Sequence, residues 1–263
     1  MDLGLTGKRA FVSGSTKGIG LATARALLAE GAAVVVNGRD EDTVRQTVKS
    51  LEVDHPGSTV GGIAADFADA DQVSRLVAAL DDVDILVNNV GLFEVRAFEE
   101  IGDDDWQRYV DVNVMSAVRL SRRLLGPMLE RGWGRIIVVS SESGVNVPAD
   151  MVHYGVTKAA TLALANGLAK RTRGTGVTVN TILGGPTWSD GVARAVEQVA
   201  HGMGRSVDDL RSDLAAATPT SLVQRFLEPS EIADLAVYLA SPRSSATNGA
   251  ALRADGGVLT TML

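Results

Sequence analysis

Tyr154 and Lys158 stand four positions apart in a stretch with helical spacing, which stacks their side chains on one face. A phenol ionises near pH 10 and exchanges protons poorly at neutral pH. An ammonium one turn away favours the phenolate and draws that value toward the working range. With three tyrosines and five lysines in 263 residues, about 0.06 such pairs would arise by chance. Tyr109 and Tyr238 have Asn113 and Pro242 at that spacing. The competing reading is a solvated pair on a helix surface. Thirteen residues before Tyr154, Ser141 ends the run RIIVVSS, which reads as a buried strand. A hydroxyl there can bond a substrate oxygen while the phenol gives or takes its proton. Ser140 takes that part if the strand end is shifted by one residue.

A second group of residues suits an anion. Gly14, Ser15, Thr16, Lys17, Gly18, Ile19 and Gly20 lie between an apolar run and a helical pattern. A tight glycine turn there brings backbone N–H groups up to a pyrophosphate at a helix N-terminus. The glycine spacing is neither G-x-G-x-x-G nor a P-loop. The next apolar run ends in Asn37, Gly38 and Arg39, where an NAD site usually has an acid for the ribose 2′-hydroxyl. Gly38 removes that acid, and Arg39 with Lys17 can clamp a 2′-phosphate, so the expected cofactor is NADP(H) rather than NAD(H). The alternative is two surface cations neutralised by Asp40, Glu41 and Asp42.

Positioning these groups falls to a regular alternation. Short β-branched runs at 9–13, 33–36, 59–64, 85–87, 136–139, 177–182 and 250–253 are separated by helical patterns at 18–30, 41–52, 70–80, 103–131, 152–173 and 229–240. This predicts an α/β fold, a doubly wound seven-stranded parallel sheet of Rossmann type, in one domain over 1–263. Residues 184–227 fall outside the rhythm and are partly helical at 191–200 and 206–217. An insertion after a strand end lies where such sheets bind ligands, which suits a substrate lid. Trp188 either lines the substrate pocket or anchors the lid's own core.

Composition narrows the field. The absence of cysteine removes disulfides, thiol nucleophiles and zinc–thiolate sites, and three scattered histidines argue against a metal centre. A net charge of −7 argues against nucleic-acid binding. The longest apolar runs, such as 32–36, are too short for a membrane span, and the segment MDLGLTGKRAFVSG lacks a signal pattern. A cytoplasmic location is therefore expected.

The first turn resembles the T-G-x-x-x-G-x-G turn of the short-chain dehydrogenase/reductase family, with Ser13 where threonine is usual. Asn88-Asn89-Val90-Gly91 resembles its N-N-A-G motif, and further likeness runs through Val179-Asn180, Pro229–Ala233 and Asp255-Gly256-Gly257. The resemblance implies a catalytic tetrad of Asn113, Ser141, Tyr154 and Lys158. It implies that Asn113 disturbs its helix and holds a water connecting Lys158 to solvent. Cofactor contacts are implied for Asp66 and Phe67 near the adenine, for Asn89, Val90 and Gly91 beside the ribose, and for Gly185, Thr187 and Ser189 near the nicotinamide. The chain departs from the family at Gly184-Gly185-Pro186, where Pro-Gly is usual. Gly184 there permits unusual dihedrals. The implied activity is reversible hydride transfer between NADP(H) and a carbonyl/alcohol pair on a small molecule, a ketone or 3-oxoacyl type, without a metal. An NAD-linked alcohol or sugar dehydrogenase and a cofactor-sensing protein on the same fold are the alternatives. Small residues at 159, 160, 163, 165, 167 and 169, together with the resemblance, imply a homotetramer.

Overall fold

Each buried apolar run is followed by a helix that carries the chain back across the sheet, and parallel pairing follows from that return. In the computed structural model, which describes residues 2–81 and 83–262, the elements begin with β1 (Arg9–Val12), α1 (Gly18–Ala29), β2 (Ala33–Gly38), α2 (Glu41–Asp54), β3 (Val60–Ala64), α3 (Ala70–Ala79) and β4 (Ile85–Asn88). After β4, α4 (Asp103–Tyr109) passes through a π-helical segment, Val110–Met115, into α5 (Ser116–Arg131). Then come β5 (Trp133–Ser141), α6 (Val152–Lys170), β6 (Gly176–Gly184), α7 (Asp190–Met203), α8 (Val207–Ala216), α9 (Pro229–Ala240) and β7 (Ala251–Ala254).

The strands form one seven-stranded sheet in the order β3-β2-β1-β4-β5-β6-β7, with every pairing parallel. The chain moves outward from β1 to β3 and then returns to the other side of β1 at β4. That reversal opens a crevice above the carboxyl ends of β1 and β4. The pairing of β5 with β6 is in register from Trp133 opposite Gly176 to Ser141 opposite Gly184, so both strands deliver their last residues to the same rim.

One apolar layer packs α1, α2 and α9 on the sheet through residues such as Leu27, Leu51, Ile232 and Val237. The other packs α3, α5 and α6 through Leu76, Leu120, Leu124 and Ala165. Asp40 caps α2 by accepting the Thr43 N–H at 2.8 Å. Asp69 caps α3 by accepting the N–H groups of Asp71 and Gln72.

The helix expected over 103–131 is interrupted by the π-helical segment. There each C=O reaches one residue further along the chain, which turns Asn113 inward. Of the small residues on α6, Ala165 and Ala169 are buried within the subunit, whereas Ala163 and Gly167 are exposed. Residues 184–227 hold α7 and α8, whose shared core is Val196, Ala200 and Leu210 with Trp188 packed against it. Among the described residues no helix is long and apolar enough to cross a membrane.

Candidate active site

The turn after β1 takes its shape from glycines with left-handed backbone. Gly14 has φ 61° and Gly18 φ 56°. Gly20 is required for a different reason: a Cβ there would lie 2.4 Å from the Gly14 carbonyl oxygen and 2.5 Å from Asn89 Nδ2. Short polar side chains lock the turn from behind. Ser13 Oγ accepts the N–H groups of Asn89 (2.9 Å) and Val90 (3.1 Å), and Asn89 Nδ2 donates to the carbonyls of Ser13 and Gly14. Asn37 Oδ1 accepts the Gly14 N–H at 3.0 Å, while Ser15 Oγ accepts the Asn37 N–H at 2.9 Å. The result is a cradle whose N–H groups face the crevice at the start of α1, and which fits the pyrophosphate of a dinucleotide.

These bonds revise part of the sequence reading. Asn37 is buried to 1% exposure and its amide is spent bracing the turn and β3, donating to Ile63 O at 3.0 Å. The Phe67 ring belongs to the core. Neither side chain is displayed at the crevice. Asp66 remains half-buried at the end of β3 and accepts the Ala68 N–H at 3.0 Å. Lys17 and Arg39 are both exposed beside the turn. A Cβ on Gly38 would meet Thr16 Cγ2 at 2.6 Å, so an acid at this position would have to displace Thr16.

β5 and α6 bring the candidate catalytic residues together. Successive residues of a strand face opposite sides, and Ser140 turns away from the crevice, donating to the Lys158 carbonyl at 3.0 Å. Ser141 is thereby the serine that faces the site, within hydrogen-bonding reach of the Tyr154 phenol. Lys158 is buried to 6% exposure. Its ammonium donates to Val139 O at 3.0 Å and lies 5.6 Å from the Tyr154 ring centre. Gly91 permits this approach, because a Cβ there would stand 3.3 Å from Lys158 Nζ and 3.6 Å from Asn113 Oδ1. Asn113 accepts the Leu92 N–H at 2.7 Å and donates to Leu92 O and to Thr157 Oγ1. It thus ties the loop after β4 to α6.

Electrostatics at this cluster differ from the sequence expectation. Burial pushes the Tyr154 phenol up to about 12, against the opposing pull of its hydrogen bond with Ser141, and the Glu142 carboxylate raises it further. Burial pushes Lys158 down to about 8. Desolvation of both groups outweighs the stabilisation of a phenolate by the ammonium.

The end of β6 lies over the cradle. Gly184 closes the strand with a φ outside the left-handed region, so the freedom expected of it is not used. Gly185 is the position with a packing demand: a Cβ there would sit 2.5 Å from Asp255 O. Thr187 is buried and donates to Gly185 O at 2.9 Å. Ser189 caps α7 by accepting the Val192 N–H, and its Cβ lies 3.4 Å from a Cβ built on Gly18. Trp188 packs edge-to-face on Phe226 at 5.2 Å, with the Arg211 guanidinium 4.4 Å from its ring centre. It therefore anchors the small core shared by α7 and α8.

Two further site residues lie in segments after strand ends, 142–150 and 186–192, which are expected to line the site, though no motif singles either one out. The Asp190 carboxylate accepts the Gly18 N–H at 2.7 Å and so reaches the cradle itself. Glu142 accepts hydrogen bonds from the hydroxyls of both Ser141 and Ser143. Nothing in their spacing marks either residue, because both contacts depend on how a loop folds back. Phe93 lies edge-on to Tyr154 at 6.4 Å between ring centres and is half exposed at the mouth.

The chain matches the short chain dehydrogenase family over residues 8–200. It belongs to that family. Among its relatives, the Bacillus subtilis (strain 168) uncharacterized oxidoreductase YvrD is 44% identical, with 98% of this chain and 99% of the relative covered. The D-beta-hydroxybutyrate dehydrogenase of Cupriavidus necator is 34% identical, with 96% and 98% covered. Among solved structures, L-sorbose reductase from Gluconobacter frateurii, complexed with NADPH and L-sorbose, superimposes with a TM-score of 0.94 at 33% identity and full coverage of both chains. As a short-chain dehydrogenase/reductase the protein is an NAD(P)-dependent oxidoreductase, and the cradle above β1 and β4 fits its nicotinamide cofactor.

The buried lysine has a measurable consequence. The folded protein releases the Lys158 proton near pH 8 and the unfolded chain near 10.5, so between these values the unfolded chain holds more protons and stability rises with pH. Relative to Lys158→Met, the cofactor-free protein should gain roughly 3 kcal/mol between pH 7 and pH 10. Urea unfolding of both proteins across that range checks it, and parallel curves would contradict it. Above about pH 10 the stability of both proteins should fall together, because folded Tyr154 keeps its proton to about 12 while the unfolded phenol loses it near 10.

Proposed function

We propose that this enzyme catalyses reversible NADP(H)-dependent hydride transfer between a small ketone and the corresponding secondary alcohol, with Tyr154 as general acid and base. The observation that carries the reading is the convergence of Ser141, Tyr154, Lys158 and Asn113 beside the dinucleotide cradle. When bound, the nicotinamide supplies or accepts the hydride. Ser141 holds the substrate oxygen in place, and Tyr154 donates a proton to it as negative charge develops there. In the oxidative direction the phenolate takes that proton back. The Lys158 ammonium, 5.6 Å from the ring centre, favours the phenolate by its positive charge, and Asn113 keeps the loop after β4 and α6 at fixed separation. The lid formed by α7 and α8 closes the substrate side, held through Asp190 and Thr187. Tyr154→Phe should lower kcat by at least about a thousandfold while leaving the NADPH dissociation constant within about twofold. Steady-state kinetics with a ketone panel and NADPH fluorescence titration check it, and substantial residual turnover would sink the assignment.

The preference for NADP(H) rests on two exposed cations without an opposing acid. Among the described residues Asp40 is engaged as the cap of α2 and Asp42 pairs with Arg45 at 2.6 Å, which leaves Arg39 available to a 2′-phosphate. Arg39→Ser should cut the NADPH/NADH ratio of kcat/KM by about tenfold or more. Equal use of the two cofactors by the unaltered enzyme would overturn the preference and favour an NAD-linked dehydrogenase.

The same reading includes a cytoplasmic homotetramer. A shallow groove between α5 and α6, lined by Val118, Leu125, Gly126, Leu164 and Leu168, supports assembly through these helices. Light scattering should give four times the 27.5 kDa subunit mass. A monomer mass at micromolar concentration would reject it.

A further inference from the structure

Glu142 is the one acidic residue within hydrogen-bonding reach of a catalytic hydroxyl among the described residues. It opens the short turn that follows β5. Its Oε2 accepts the hydroxyl of Ser141, and its Oε1 accepts that of Ser143 at 3.0 Å. The Ser143 N–H in turn donates to Ser141 Oγ at 3.1 Å, so the carboxylate is fixed by the turn it begins. No arginine or lysine forms an ion pair with it among the described residues, and its charge reaches both Tyr154 and Lys158. It is half-buried, so the site side remains open to a ligand. Each carboxylate oxygen has a second acceptor position beyond the bond it already makes. The mouth around it is otherwise apolar, with Phe93, Val145 and Val147 exposed.

That chemistry discriminates between ligand classes. A carboxylate with spare acceptor positions welcomes a hydroxyl next to the reacting carbon. It opposes a second carboxylate there, since like charges in a partly desolvated pocket repel with little screening. We propose that Glu142 is a specificity-determining residue that selects neutral polyhydroxylated ketones and rejects oxo acids. The inference rests on the ketone reduction proposed above and narrows its substrate class.

The test uses a matched pair: a neutral six-carbon ketose and the ketoaldonate in which a terminal CH₂OH is replaced by a carboxylate. The enzyme should favour the ketose by at least about tenfold in kcat/KM, and Glu142→Gln should reduce that preference to about threefold or less, chiefly through a lower KM for the anion. Glu142→Asp, which keeps the charge, should retain the preference. Equal use of the two ketones by the unaltered enzyme, or a ratio unmoved in Glu142→Gln, overturns the proposal. If neither ketone is reduced, the activity reading fails separately, and calorimetric dissociation constants of the two compounds on the NADPH-loaded protein carry the same comparison. A ketose that binds at least about tenfold more tightly than the anion, with the difference lost in Glu142→Gln, supports the proposal. Absence of binding by both overturns it.

Discussion

The structure turns on a problem that its own topology creates. Where the strand order reverses, β1 and β4 must part company at their carboxyl ends, and backbone groups that the ladder would have satisfied are left without strand partners. Buried donors without acceptors cost about 1–3 kcal/mol each. Ser13, Ser15, Asn37 and Asn89 meet that demand with short side chains that reach neighbouring backbone. Ser13 Oγ alone accepts two N–H groups just beyond the end of β4, those of Asn89 and Val90. Longer side chains would fill the space, and apolar ones would leave the donors orphaned. The splayed, polar-braced gap is what becomes the cofactor cradle, so the ligand site follows from how the sheet closes its accounts with its own backbone.

The same principle seats the catalytic helix. A buried ammonium needs an acceptor, and Lys158 finds one in the Val139 carbonyl. Ser140 and Thr161 complete the seam by donating to the Lys158 carbonyl. These bonds fix the rotation of α6 against β5. With that rotation set, Tyr154 one turn earlier is directed at Ser141. The glycines complete the fit where side chains would not: Gly144 allows α6 to approach the turn after β5, and Gly91 allows Lys158 to approach the end of β4.

This division explains what could be read from residues alone. The strands at the ends of apolar runs, the helix starts at Asp40, Asp69 and Pro229, and the Tyr154–Lys158 pair depend on local periodicity or on fixed spacing along one element, whereas Asn113 is marked only by the family resemblance. Ser141 could be distinguished from Ser140 only with the phase of β5, which composition leaves ambiguous at a run of two serines. Asn37 and Phe67 sit beside the cradle in sequence, yet their side chains point into the protein, because alternation along a strand end sends half its residues inward. Glu142 and Asp190 fall in segments after strand ends, where a ligand is expected, but their particular contacts are not legible in the sequence. Their contacts join residues through loop geometry, and in Asp190's case across 172 positions of chain. The expected lowering of the Tyr154 phenol is overridden by burial, a quantity that spacing does not carry.

Charge is distributed along the crevice in a way that total charge conceals. The chain carries −7 overall, yet the rim by β2 presents Lys17 and Arg39, while the opposite end presents Glu142. An anionic cofactor entering a negatively charged protein gains from a local cationic rim and from the N–H groups at the start of α1. The acid at the far end works the other way on whatever enters from the lid. Between them lies the Tyr154–Lys158 pair, on which the charge of Glu142 acts directly. Asp190, at the start of α7, adds a carboxylate to this pattern: it accepts the Gly18 N–H, and so it occupies one of the backbone donors at the start of α1 that would otherwise suit an anion.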